Sequence, residues 1–73
     1  MSEQADELKK LTTIAKDLKL SPELRLKAME VLGNIGTHEA LLTLLELVAN
    51  EELVREEREF ALKQAREIIK SGR

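Results

Sequence analysis

At 73 residues the chain has room for one domain, of a size whose core rarely supplies more than about 3–5 kcal/mol unless its helices pack very regularly. Fourteen acidic residues against twelve basic ones leave a net charge of −2, which removes the phosphate attraction on which nucleic-acid binders depend, so no nucleic-acid partner is expected. The absence of Cys excludes disulfides and thiolate chemistry and fits the cytoplasm, while apolar runs such as Ala40–Leu42 and Leu47–Ala49 are too short for a membrane span or a signal-peptide core.

Helix formers dominate, and Gly and Pro sit only where breaks are wanted. The first helix is predicted from about Glu3 to Leu18, with Ser2 as N-cap and Leu8, Leu11, Ala15 and Leu18 on one face. A second begins at Ser21-Pro22-Glu23, where Ser accepts orphan backbone donors, Pro suits the first helical position and Glu complements the dipole. Leu24, Ala28, Val31, Leu32 and Ile35 form its buried stripe, and Gly36 is its left-handed closing residue. Thr37 caps a third helix that is apolar nearly all round and therefore belongs in the middle of the fold. The fourth starts near Asn50–Leu53 and ends near Ser71-Gly72; Val54, Ala61, Ala65 and Ile68 face inward, and Arg55, Glu59, Lys63 and Glu67 form an outer charge ladder. Short turns make sequential helices antiparallel neighbours. The expected fold is all-α, with a single helical domain over 1–73 and no linker or low-complexity tail.

A shift of 33 residues superimposes Leu8 on Leu41, Leu11 on Leu44, Leu20 on Leu53, Arg25 on Arg58, Ala28 on Ala61 and Ile35 on Ile68. The chain thus reads as one helical hairpin written twice, about 3–35 and about 37–70, each leaning on the other to bury its apolar face. The stretch from Ser21 to Glu52 resembles the HEAT-like repeat of the short phycobilisome-lyase-like type. The residues that carry the resemblance are Leu24-Arg25, Ala28, Leu32-Gly33, Ile35-Gly36 and Glu39-Ala40 followed by a Leu-rich helix. The resemblance implies two stacked hairpins forming a short right-handed α-solenoid, whose second helices line a partner-binding concave face. Glu57 stands where such repeats usually bury Val or Leu, and Gln64 takes another inward place, which gives the last helix the character of a polar end cap.

No catalytic, cofactor or metal constellation is found. His38-Glu39 is a single pair at the head of a helix, whereas an iron-binding hydroxylase related to the family carries several such pairs, and one imidazole without Cys is no ligand set. Glu51-Glu52 and Glu56-Glu57 read as solvated helix starts, and Gly33-Asn34-Ile35-Gly36 lacks the Lys and the strand of a phosphate loop. The chain is therefore expected to be no enzyme, to need no cofactor, and to bind a protein or peptide or a second copy of itself. In the repeat register Leu26, Lys27 and Glu30 correspond to Glu59, Phe60 and Lys63, and these residues with Met29 are the candidate partner-binding set. Phe60, the sole aromatic, reads either as an anchor or as the closure of a small core. A designed scaffold without biological activity is the second reading of the whole chain, and a metal-dependent enzyme fragment a distant third.

Overall fold

A computed structural model describes residues 3–71. It contains four helices, α1 (Glu3–Ala15), α2 (Pro22–Ile35), α3 (His38–Val48) and α4 (Arg55–Lys70), and no strand among the described residues. The principal extents of 28 × 27 × 17 Å leave a thickness of about two helices. Within it α2 packs chiefly against α1 and α4, and α3 chiefly against α4. Ala28, Met29 and Leu32 of α2 meet Ala40, Leu44 and Leu47 of α3 and Ala61, Ala65 and Ile68 of α4 in one core, which Ala15 and Leu53 complete.

The helix ends follow from local chemistry. Ser21 accepts from Leu24 N–H at 3.3 Å and Thr37 from Ala40 N–H at 3.1 Å, each satisfying one of the donors a helix start leaves orphaned. Gly36 closes α2 in the left-handed region at φ 68°, and its N–H returns to Leu32 O, a conformation that costs Gly nothing. Gly33 lies inside α2. There a Cβ would meet the side chain of Gln64, with Gln64 Cβ 3.2 Å away, so Gly33 allows α2 and α4 to approach closely. The N-cap assigned to Ser2 and the role of Gly72 lie outside the described residues.

The first helix stops at Ala15 instead of Leu18, and Leu18 is exposed. Asp17 is responsible: its carboxylate accepts Lys19 N–H at 2.9 Å while its carbonyl accepts Leu20 N–H at 3.1 Å, a local turn that outcompetes another helical turn. Thirty-three residues on, the amide side chain of Asn50 accepts Glu52 N–H at 2.9 Å and its carbonyl accepts Leu53 N–H at 3.1 Å. The following helix starts match as well: Arg25 N–H donates to Ser21 O and Arg58 N–H to Val54 O, at 3.2 and 3.1 Å. Asn and Asp are interchangeable here because the turn uses only a side-chain acceptor.

Three further expectations are corrected. Leu24 is 51% exposed, and Val54 is not inward-facing but 56% exposed at the N-cap of α4. The third helix is not enclosed on all sides, since Leu42 and Leu45 are exposed and only Ala40, Leu44 and Leu47 are buried. An apolar composition cannot reveal how many neighbours a helix has: α2 and α4, both more polar than α3, each pack closely against two others. Val54 also leaves α4 without a side-chain cap, where its counterpart Ser21 supplies one. Val54→Ser is expected to raise stability by about 0.5–1 kcal/mol, visible as a rise of a few degrees in Tm; an unchanged Tm would show that the helix start is already satisfied.

Candidate functional site

The candidate surface is built on α2 and α4, which lie against each other. Lys27, Glu30, Glu59 and Lys63 are exposed, whereas Leu26 and Phe60 are partly buried and pack against the core. Lys27 pairs with Glu30 at 3.5 Å and Arg55 with Glu59 at 3.1 Å, all four side chains largely exposed. Pairs of this kind contribute little stability and chiefly fix where charge is displayed. Met29, placed in the candidate set, is 0% exposed and belongs to the core; its neighbours cover it completely, so it cannot touch a partner in this arrangement.

The residue that sequence reasoning misjudged is Glu57. It is 2% exposed, so it is neither a solvated helix start nor an outward polar cap. Its two carboxylate oxygens receive Arg25 Nε at 2.9 Å and Arg25 Nη2 at 2.8 Å, a bidentate geometry that suits guanidinium. Arg25, 6% exposed, turns its remaining Nη1 to the carbonyls of Leu20 at 2.6 Å and Asp17 at 3.1 Å. One guanidinium therefore joins α2, α4 and the α1–α2 connection. The hydrogen bond to Glu57 raises the Arg25 pKa above its ordinary value, desolvation opposes it, and the charges of Glu57 and Asp17 assist. The guanidinium is thus charged at every pH the fold encounters. The signal in the sequence was present: an inward acidic residue needs a cation, and Arg25 is the one that the helical spacing turns inward.

Thirty-three residues on, no such closure forms among the described residues. Arg58, the counterpart of Arg25, is only half-buried, yet its Nε is enclosed and finds no hydrogen-bond partner among the described residues. It lines a shallow cleft of about 300 Å³ with Val48, Arg55, Glu59 and Leu62. A larger open groove of about 490 Å³ between α1 and α3 includes Leu8, Thr12, Glu39 and Thr43, but the Thr12 hydroxyl donates to Leu8 O at 2.7 Å, so its proton is already committed.

His38 is exposed at the head of α3, and no group of three or more His, Cys, Asp or Glu side chains is placed to hold a metal among the described residues. No helix is long and apolar enough to cross a membrane among them. Comparison with known proteins found no matching family model, no matching curated protein and no matching solved structure.

Proposed function

We propose that this chain is a HEAT-like double repeat, two helical hairpins stacked as a short α-solenoid, that works by protein–protein interaction or scaffolding and carries out no reaction. The observation that carries the reading is the duplicated turn: Asp17 and Asn50 accept equivalent N–H groups at the same 2.9 Å, 33 residues apart. Two turns built alike are what a repeated unit requires. Rigid presentation is the mechanism. Paired helices hold Leu26 and Phe60 at the edge of the core, and the Lys27–Glu30 and Arg55–Glu59 pairs set the charge pattern that selects a partner and speeds encounter.

An idealised scaffold without activity is the weaker reading. Idealisation removes uncapped helices and enclosed unsatisfied polar atoms, and this chain keeps both, at Val54 and at Arg58 Nε. The functional reading is tested by panning a displayed library of helical peptides on the folded chain and mapping the selected binders by NMR. Binders are expected to perturb Leu26, Lys27, Phe60 and Lys63, and Phe60→Ala is expected to weaken them at least about tenfold, as loss of an aromatic anchor does. Failure to enrich binders, or binders confined to α1 and α3, would remove the α2–α4 surface from its proposed role.

A further inference from the structure

The two open sides of the fold are chemically different, and the difference specifies a ligand. The first unit shows what occupies the seat behind a repeat: Ala15, Arg25 and Met29 are buried, and Glu57 from the first turn of α4 sits on the guanidinium. The same seat on the second unit is formed by Val48, Arg58 and Leu62. All three are only half-buried, and Arg58 Nε is enclosed without a partner. An enclosed, unpaired guanidinium nitrogen has lost water without gaining an acceptor, so a carboxylate that reaches it recovers the lost interaction.

We infer that the Val48–Arg58–Leu62 seat is a docking site for a helix of another protein that presents a carboxylate from its first turn, as α4 presents Glu57 to Arg25. A second copy of this chain stacked head to tail does not meet that requirement. Its α2, the counterpart of α4, carries Leu24 at the position of Glu57, half-exposed in an apolar cleft that also includes Leu11, Ile14 and Val31. Stacking would press Leu24 onto Arg58 and bury the guanidinium against an apolar side chain. The inference rests on the repeat reading of the preceding subsection, since that reading makes Arg58 the counterpart of Arg25.

The test uses the full chain and, as probe, a synthetic peptide of residues 54–71 made helical by a lactam bridge between Glu59 and Lys63, both exposed in the fold. NMR should show saturable shifts of the Arg58 Nε–H and of the Val48 and Leu62 methyls. Replacing the peptide's Glu57 by Gln should weaken binding about tenfold, and Arg58→Gln in the chain should abolish that difference between peptides. Arg58→Gln removes a cation without a partner and should fold as well as the parent. Equal binding of the Glu and Gln peptides would overturn the site, as would shifts confined to Leu11 and Leu24, or shifts at Arg25 showing that the peptide has displaced α4. An Arg58 signal that moves with protein concentration alone would overturn the choice of occupant in favour of a second copy.

A separate chain, with a second copy of residues 25–57 inserted after Glu57, isolates the underlying reading, because every Arg25 in it meets a Glu57. If it melts cooperatively above the parent while the peptide fails to bind, the docking site is wrong and the repeat stands. If it melts below the parent, the repeat register itself is wrong.

Discussion

Leu44→Ala is expected to lower stability by about 2–5 kcal/mol, most of what a domain of this size holds. Leu44 is fully buried in the core where α3 meets α4 and α2, and truncation there removes both transfer free energy and packing partners that the surrounding helices cannot replace by collapse. Leu11, 33 residues earlier, is only half-buried, so Leu11→Ala should cost clearly less, while Lys63→Ala on the exposed face should stay within about 0.5 kcal/mol. Urea titration of the three variants, with m held constant, ranks them. If Leu44→Ala has the parent's midpoint, the core does not lie where α3 meets α4.

The second large effect concerns the Arg25–Glu57 pair. Glu57→Ala leaves an enclosed guanidinium with only the carbonyls of Asp17 and Leu20 as partners. Its Tm should fall on the order of 10 °C or more, because a buried charge that loses its counter-ion costs far more than the intact pair contributes. Glu57→Gln keeps one acceptor and the shape of the side chain and should lose less. Arg25→Met combined with Glu57→Leu should recover part of the loss, since an apolar pair of similar volume is often as stable as a buried ion pair. Recovery stays incomplete because the carbonyls of Leu20 and Asp17 are then without their donor. Thermal melts of the parent, Arg25→Met, Glu57→Leu and the double variant form a double-mutant cycle. A Glu57→Ala chain that melts with the parent would remove the pair from any structural role.

Helix content and three of the capping devices were legible because they depend on residues close together in the chain, and the pairing of like residues 33 apart is a property of the sequence itself. Ser21, Thr37 and Gly36 act on backbone groups within four residues, and the 33-residue shift needs only identity at fixed spacing. What escaped was set by contacts between distant segments. Leu24 and Val54 read as apolar and inward, yet no neighbour covers them. Glu57 read as a surface charge, yet a guanidinium 32 residues earlier in the chain draws it into the interior. Met29 looked available on a helix face that packing encloses. In each case the side chain's own chemistry was read correctly, and its environment was supplied by another helix.

Arg25 also determines how the molecule comes apart. Its guanidinium holds the Asp17 and Leu20 carbonyls on one side and the first turn of α4 on the other. Lifting α4 away strips the counter-ion from a group that fastens the connection between α1 and α2, so that connection loosens in the same event. The two halves, although alike in sequence, therefore cannot breathe independently. Transient opening exposes the amides of residues 16–21 together with those of the α4 N-terminus, as a single cooperative fluctuation that passes through one arginine.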